Sequence, residues 1–560
     1  MPPILVAALA LAALAAGYRF YSSFLARKVF ELRGDEPVPA VEKRDEIDYV
    51  PTRREVLWGH HFSSIAGAAP ILGPAMAIVW GWVPAMIWVV VGVIFMGATH
   101  DFGALVLSIR HGGQSVGNLT ERFISPRSKV LFLVVIFFLI WLVGAVFAFA
   151  IAGLFVNKPE SILPVNLEIA VAVFIGWWGY RRNRSLLLPS IAALIGLYAV
   201  IFGTATGNLW VPAEGSLLRS MHFWLVALMV YGFVASSLPV WLLLQPRDLI
   251  NSHQLLVGLS ALYVGFFLTS PSFAAPPVGD LALLPAVFPL LMVTIACGAI
   301  SGFHGLVSSG TTSKQLACAT DARPIGYGSM LCEAALAVLA TMAVAAGTNM
   351  GGGHAWDVIH EISVASGHGL PGVPDALGAF VGGAASFLAA LGIPMAIGSV
   401  VVAVLVISFA ATSLDTALRI QRLVLAELGQ TYGIRPLQNR WIGAAIAAGS
   451  VLVLIYADFD QGAKSLWPVF GATNQVLAAL TLLICALYLR TLGRRSWPYS
   501  LPAAFVMVVT FSAMGIQVTR DFGAGRYLVA AVGSLIAVLT LWVALEGGLA
   551  WRRRPASQVG

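Results

Sequence analysis

Long apolar blocks dominate this sequence, and many of them run for about 20 residues, the length of helix that crosses the hydrocarbon core of a bilayer. The chain is 59% apolar and only 11% charged, whereas an ordinary soluble domain is roughly 25% charged. So few charged residues cannot cover a water-soluble surface of this size. The blocks therefore predict an all-α polytopic protein embedded in a lipid bilayer.

Fifteen membrane-spanning helices are predicted from the apolar blocks. The first is interpreted as a permanent helix and not a signal peptide, because its basic residues follow the apolar stretch instead of preceding it. The predicted spans are 1–25, 60–80, 83–108, 129–155, 164–180, 186–210, 221–243, 253–272, 283–312, 328–346, 394–418, 440–457, 466–489, 497–518 and 526–550.

The distribution of basic residues predicts the orientation of these helices. With the N-terminus outside, 27 of the 33 Lys and Arg residues lie in loops on the cytoplasmic side, five lie in outside loops, and Arg19 lies in the first helix. This agreement requires residues 356–392 to form an external hairpin that dips into the membrane without crossing it. The pattern predicts an inner-membrane protein with a cytoplasmic C-terminus. It does not indicate nucleic-acid binding, because no segment outside the membrane is large enough to present a basic face.

Two predicted spans contain residues that interrupt a membrane helix. One runs from Gly59 to Pro74 and the other from Ser301 to Thr312, and both are dense in Gly, Ser and His. Each unsatisfied backbone group inside a bilayer costs several kcal/mol, so unwound backbone persists where protein buries it or where it lines a cavity. Small residues also allow close helix packing, but that explains single glycines better than two such clusters. The pattern favours two broken helices that bind solute or ions.

A third segment, Phe409 to Thr416, places adjacent hydroxyls late in a membrane helix. Thr412 and Ser413 could complete an oxygen cage for Na⁺ together with carbonyls from a broken helix. The same hydroxyls could equally bond to carbonyls of their own helix, and spacing alone leaves both possibilities open.

Ionisable residues inside membrane spans are costly and usually functional. His100 and Asp101 are neighbours in sequence, so we expect their side chains to diverge and to pair elsewhere. The candidates for carrying a proton are Asp101, His304 and Asp415. No pair of histidines has the helical spacing of a metal site, so no metal is expected beyond Na⁺, and no other cofactor is expected. The ionisable residues within spans are His60, His61, His100, Asp101, His304, Glu333 and Asp415.

Several blocks of the chain resemble the carbon-starvation protein family of bacterial inner-membrane transporters. They are spread over most of the chain, and the first two are the most specific. The matching blocks are Asp48 to Thr52, Gly59 to Pro74, Gly97 to Phe102, Ser301 to Gln315 and Trp467 to Gln475.

This family resembles the amino acid–polyamine–organocation (LeuT-fold) superfamily, whose core is a five-plus-five inverted repeat with a broken helix opening each half. The resemblance implies an N-terminal helix (1–25), a cytoplasmic loop (26–56), a first core repeat (57–210), two inserted helices (221–272), a second core repeat that includes the hairpin (283–489) and two C-terminal helices (497–550). The segment Ala235 to Pro239 is an alternative position for the second break.

The resemblance also implies uptake of pyruvate or peptides, driven by H⁺ or Na⁺. We therefore predict a secondary transporter for a small organic nutrient and not an enzyme. A channel and a membrane-bound nutrient sensor remain alternatives, and the oligomeric state is not predicted. The substrate would lie near Ser63, Ser64, Gly67, Ser301, Gly302 and His304, and the ion near Gly67, Phe409, Thr412 and Ser413.

Overall fold

Helices form nearly all of the computed structural model. It describes residues 1–45, 48–182, 186–279, 287–349, 352–366, 369–457, 459 and 465–552. Within these ranges β-structure is limited to two isolated bridges, Thr52–Leu316 and Thr348–His354. Twelve helices are long and apolar enough to cross a membrane. They are Pro3–Val29, Trp82–Arg110, Pro126–Asn157, Pro159–Arg182, Leu187–Ala205, Leu244–Thr269, Ala319–Ala346, Met395–Tyr432, Arg440–Ala457, Leu466–Thr491, Trp497–Gly523 and Tyr527–Arg552.

The all-helical membrane fold is confirmed, whereas the count of fifteen spans stays a prediction. A thirteenth span is present if Arg54–Ile65 and Ala69–Trp80 are counted as one bent helix. Two other predicted spans correspond to the shorter helix Met221–Ser237 and to the interrupted segment that ends at Gly310. The predicted start of that segment, residues 283–286, lies outside the described residues.

The first interrupted helix bends by 44° between Ile65 and Ala69. Its first half, Arg54–Ile65, ends at Ala66, whose ψ of 57° leaves the helical region. The second half starts at Ala69 and carries Pro70 in its first turn, where the missing N–H costs no helical hydrogen bond. The predicted break is therefore present, and it falls inside the Gly- and Pro-rich cluster.

The second interrupted helix has three parts, Val287–Thr294, Ala296–Ala299 and Gly302–Gly310. Ile300 and Ser301 between the last two parts are extended, with φ values of −158° and −133°. The alternative break at residues 235–239 is instead the connection between two separate helices, since Met221–Ser237 ends there and Leu244–Thr269 follows.

The two interrupted helices pack together half against half. Arg54–Ile65 packs on Gly302–Gly310, and Ala69–Ala77 packs on the two preceding parts of the second helix. A side chain at Gly73 would lie 2.7 Å from the Thr294 carbonyl oxygen, so only glycine permits this approach. The breaks consequently lie side by side. The inverted repeat and the proposed domain boundaries stay predictions.

The predicted hairpin 356–392 consists of two helices, Ala355–Ala365 and Val373–Ala389. Residues 367–368 between them lie outside the described residues. The second helix is mostly buried and packs against both Leu244–Thr269 and Met395–Tyr432. The entry of this hairpin into the membrane without crossing it stays a prediction.

Several predicted boundaries are wrong. The helix expected at 394–418 continues to Tyr432. The span expected at 253–272 begins at Leu244, so nine residues interpreted as loop are helical. These residues include Arg247 and Asp248, both fully buried. Their charges suggested a loop, but the protein interior provides partners for them.

Arg110 holds the segment after the first helix against the bundle. Its guanidinium donates two hydrogen bonds of 2.8 Å to the Glu36 carboxylate and one of 2.9 Å to the Phe30 carbonyl. Such a paired, charge-assisted contact is geometrically specific and stronger than a neutral hydrogen bond. It ties the N-terminal helix to the end of Trp82–Arg110.

Replacing Glu36 with Gln should loosen this attachment. Partial burial raises the pKa of Glu36, but hydrogen bonds from Arg110 and from the Arg33 amide outweigh it and hold the pKa below its usual value of 4.5. The carboxylate therefore contributes fully above about pH 4.5, and its contribution is lost as the pH falls through the lower folded-state pKa. At neutral pH we expect amide hydrogens in residues 30–43 of the variant to exchange about fivefold faster, equivalent to about 1 kcal/mol.

The difference between parent and variant should disappear in acid, where Glu36 itself is protonated. Glu121→Gln is the matched control, since that carboxylate pairs with Lys129 at 2.8 Å elsewhere on the surface. Equal exchange rates in parent and E36Q at neutral pH would contradict the proposed role of Glu36.

Candidate functional site

Every residue assigned to the site from the sequence is buried in the structure. None of these side chains is more than 1% exposed, so neither membrane face gives direct access to them. The residues are Ser63, Ser64, Gly67, Asp101, Ser301, Gly302, His304, Phe409, Thr412, Ser413 and Asp415.

Ser413 is the hydroxyl that meets the first break. Its Oγ donates a 3.3 Å hydrogen bond to the Ser64 carbonyl, one of the last carbonyls of the half-helix Arg54–Ile65. A side chain at Gly67 would lie 2.6 Å from the same Oγ and 3.0 Å from the Phe147 ring. The Ser64 hydroxyl is buried with no hydrogen-bond partner among the described residues. Three oxygen atoms, from the Ser413 hydroxyl and from the carbonyl and hydroxyl of Ser64, therefore lie at this end of the half-helix.

Thr412 points away from that break. Its Oγ1 accepts a 2.6 Å hydrogen bond from Asn251 and donates one of 2.9 Å to the Ser408 carbonyl of its own helix. The two adjacent hydroxyls thus form hydrogen bonds with different helices. Phe409 is one helical turn before Ser413 and shares its face of the helix.

Asn474 holds the second break. Its side-chain oxygen accepts a 2.9 Å hydrogen bond from the Phe303 amide, and its Nδ2 donates one of 3.1 Å to Ser301 Oγ. A side chain at Gly302 would lie 2.4 Å from the Asn474 carbonyl oxygen. The free amides at the start of Gly302–Gly310 are therefore partly satisfied by Leu466–Thr491. Asn474 lies in the block Trp467 to Gln475, but the sequence analysis did not assign it to the site.

Ser63 faces a different helix from the other predicted substrate residues. Its Oγ donates a 3.0 Å hydrogen bond to the Asp248 carbonyl of Leu244–Thr269. The structure therefore brings Ser64 and Gly67 to the first break and Ser301 and Gly302 to the second, while Ser63 contacts the inserted helix.

A buried group of four ionisable side chains, which we name the His304 cluster, lies beside the second break. His304 Nδ1 is 3.0 Å from Asp101 Oδ2, and His304 Nε2 is 3.3 Å from Glu333 Oε2. His100 Nδ1 is 2.7 Å from Asp101 Oδ1. No ion pair in the described part of the chain joins this cluster to Lys or Arg. Its net charge therefore depends on how many protons it holds.

The expected divergence of His100 and Asp101 is wrong. These sequence neighbours are bonded to each other, and Asp101 also reaches His304 across the helix interface. The reason is a close helix approach. A side chain at Gly97 would lie 2.3 Å from the Ala299 carbonyl oxygen, and His100 packs against Gly305, whose own Cβ position would lie 2.8 Å from the imidazole ring.

A second buried group, which we name the Arg247 cluster, surrounds Asp415. Arg247 Nη1 donates hydrogen bonds of 2.5 Å to Asp415 and 2.6 Å to the Tyr231 hydroxyl, and its Nε lies 3.8 Å from Glu168. Asp248 pairs with His60 at 2.5 Å. A guanidinium is always protonated in proteins, so Asp415 has a permanent positive partner, unlike Asp101 and Glu333.

The sequence analysis missed Glu168, Arg247 and Asp248. Glu168 was detectable, because it is a single acidic residue amid the apolar span 164–180 and such residues are usually functional. Arg247 and Asp248 carried no comparable signal, since adjacent charges beside Pro246 also suit a loop.

Comparison with known proteins identifies relatives of this chain. The sequence profile described as "Carbon starvation protein CstA" matches residues 3–352 and 357–513. A protein of Campylobacter jejuni named "Peptide transporter CstA" is 31% identical, over 93% of this chain and 81% of the relative. A protein of Escherichia coli named "Pyruvate/proton symporter BtsT" is also 31% identical, over 89% of this chain and 79% of the relative.

Among solved structures, that of MhsT in complex with L-phenylalanine covers 89% of this chain and 99% of its own, at 13% identity and a TM-score of 0.47. This overlap is too low to assign the fold. The named relatives are transporters, and the chain itself is a multi-pass membrane transporter and not an enzyme. By the extent of the profile match and the identity to full-length relatives, it belongs to the carbon starvation protein CstA family.

Proposed function

We propose that this transporter imports a small organic carboxylate, pyruvate or a related acid, by H⁺-coupled alternating access, with short peptides as the second candidate substrate. The observation that carries this proposal is the His304 cluster, a buried group of variable charge placed beside the break of the second helix. The names of the relatives support both substrate classes, since one is a pyruvate/proton symporter and the other a peptide transporter.

The substrate would bind between the two breaks, near Ser64, Gly67, Ser301, Gly302 and His304, with Ser63 supporting the first half-helix. Half-helix N-termini carry a partial positive charge that favours a carboxylate. Asn474 now bonds to the Phe303 amide, so a bound carboxylate would replace or share that hydrogen bond. The arrangement fits a five-plus-five inverted repeat of the LeuT type.

Burial of the whole site fits a closed state in a transport cycle. Opening to one face requires the half-helices on that side, for example Arg54–Ile65 and Gly302–Gly310, to separate from their neighbours. We assign the N-terminus to the outer side of the inner membrane and the C-terminus to the cytoplasm, because this orientation places most Lys and Arg residues in cytoplasmic loops.

The proton would be carried by Asp101, His304 and Glu333. Each can change its charge without a fixed cation nearby, so one proton alters the electrostatics of the second break. Asp415 is less suited to this role because Arg247 already neutralises it at 2.5 Å. Glu333 thereby joins Asp101 and His304 as a proton carrier in place of Asp415.

Sodium coupling is a second candidate, favoured by Ser413 at the first break. Its hydroxyl, the Ser64 carbonyl and the unpartnered Ser64 hydroxyl could together coordinate Na⁺. Freed carbonyls of a broken helix serve this purpose in other transporters.

Uptake of labelled pyruvate and of a labelled dipeptide into proteoliposomes tests the proposed function. We expect pyruvate to accumulate against its gradient when a pH gradient is imposed. Conduction without accumulation would instead indicate a channel. Absence of uptake of both solutes, in protein shown to be folded, would overturn the proposal.

Glu333→Gln should uncouple transport from protons. The amide keeps the shape of the side chain but cannot bind and release a proton, so acceleration by a pH gradient should fall by about tenfold or more. Exchange of labelled for unlabelled solute, which needs no net proton movement, should continue. Glu361→Gln, at an exposed residue of the helix Ala355–Ala365, is the matched control. An unchanged response of E333Q to the pH gradient would remove Glu333 from the coupling site.

Ser413→Ala distinguishes coupling to Na⁺ from coupling to H⁺. If Na⁺ binds at the first break, loss of this hydroxyl should raise the Na⁺ concentration for half-maximal uptake by about tenfold. Thr412→Ala should have a smaller effect on Na⁺, because that side chain faces Asn251. Ser534→Ala is the control for the change from Ser to Ala, because the Ser534 hydroxyl donates to the Ala530 carbonyl of its own helix. Absence of Na⁺ stimulation in the parent protein would eliminate this site.

A further inference from the structure

The loops rich in Lys and Arg are assigned to one face of the protein, which we name the basic-loop face. A small cavity of about 40 Å³ lies between this face and the two interrupted helices. We name it the basic vestibule. The first half-helix, the end of the second interrupted helix and the long helix Met395–Tyr432 all contribute to its wall. Its polar lining consists of Asp48, His60, Gln245, Thr311, Lys314, Gln315, Thr416, Arg419 and Arg422.

The lining of the basic vestibule is positively charged. Among the described residues that line the cavity, Lys314, Arg419 and Arg422 are opposed by a single carboxylate, Asp48. Further carboxylates lie behind Arg419 and Lys314. Arg419 is only 7% exposed, although burying a charge in protein is expensive unless partners compensate it. The lining itself carries more cations than carboxylates, which favours an anion in the cavity.

Two donor nitrogens at this cavity have no hydrogen-bond partner among the described residues. They are Nε of Arg419 and Nε of Arg422. A guanidinium nitrogen can donate a hydrogen bond but cannot accept one. Buried donors are normally satisfied, so these two indicate a ligand that accepts hydrogen bonds.

The position of the vestibule connects it with the proposed substrate site. His60 and the break at Ala66 belong to the same chain segment, six residues apart, or about 9 Å along a helix at 1.5 Å per residue. A short strap covers the basic-loop side of the cavity, where the Val50 amide donates to the Lys314 carbonyl at 3.2 Å and the Thr52 amide donates to the Gln315 carbonyl at 3.0 Å.

We propose that the basic vestibule is a second binding site for the carboxylate of the transported solute, occupied between the central site and the basic-loop face. Lys314 attracts the anion, and Arg419 and Arg422 supply the unpartnered donors. This inference rests on the proposed function for the identity of the solute.

Arg422→Gln tests the proposal because, among the residues that the structure describes, Arg422 forms no hydrogen bond comparable to those of Arg419. Arg419 Nη2 donates to the Ala235 and Leu238 carbonyls at the end of Met221–Ser237, so its replacement could disturb folding. Arg435→Gln is the matched control, since Arg435 is exposed on the same face and lies outside the cavity lining.

The experiment measures the apparent KM for pyruvate in proteoliposomes with substrate presented to each face separately. For R422Q we expect an increase of about tenfold when pyruvate is presented to the basic-loop face, equivalent to the loss of one charge-assisted contact, and no change from the opposite face. R435Q should behave as the parent. Equal changes at both faces, or no change at either face in R422Q and in the double variant with Lys314→Gln, would overturn the proposal.

A second measurement does not depend on transport. Phenylglyoxal modification of the purified full-length protein can be quantified by mass spectrometry at Arg422 and at Arg435. Pyruvate should slow the modification of Arg422 alone. Protection by inorganic phosphate but not by pyruvate would assign the cavity to another anion and overturn the proposal, as would equal modification with and without pyruvate. Because protection from modification reports binding, this test of the vestibule is independent of whether the protein transports pyruvate. The failure of one proposal can therefore be told apart from the failure of the other.

Discussion

Backbone groups that leave a helix inside a membrane must find partners within the protein, and this requirement organises the centre of the molecule. The first break is bonded through Ser413, which donates to the Ser64 carbonyl. The second is bonded through Asn474, which accepts from the Phe303 amide. Both partners come from other helices, so each break can exist only in the assembled bundle. A rearrangement that opens the site must replace these hydrogen bonds, and a bound solute and ion can do so.

The buried charges fall into two groups with different physical behaviour. In the Arg247 cluster a guanidinium is bonded to Asp415 and the Tyr231 hydroxyl and lies near Glu168. Four helices are thereby joined by a group that keeps its positive charge. In the His304 cluster the ion-pair contacts of the two carboxylates, within the part of the chain that the structure describes, are with imidazoles. Proton binding there changes the total charge of the cluster. A transporter needs both properties, a stable frame and a site whose electrostatics change during the cycle.

Much of this fold could be predicted from the sequence because hydropathy and backbone chemistry act locally. Apolar length predicted the spans, and clusters of Gly, Ser and His predicted the two breaks. The direction of a side chain depends on neighbouring helices, which spacing does not reveal. Thr412 and Ser413 are therefore indistinguishable in sequence, yet only Ser413 meets the first break. Arg247 and Asp248 were taken for a loop because their partners, Asp415 and His60, are more than 160 residues away in the chain.

The half-helix Arg54–Ile65 provides a physical route between the two breaks and the basic-loop face. Ser64 at its end binds Ser413, while Ser63 and His60 both bind Asp248 of the inserted helix. His61 lies 2.8 Å from Thr312, just past the second interrupted helix. Because side chains of one rigid helical turn move together, a displacement that breaks the Ser64–Ser413 contact also shifts the His60–Asp248 pair. If solute and ion bind at the breaks as proposed, their occupancy would thereby be linked to the shape of the basic vestibule through one helix.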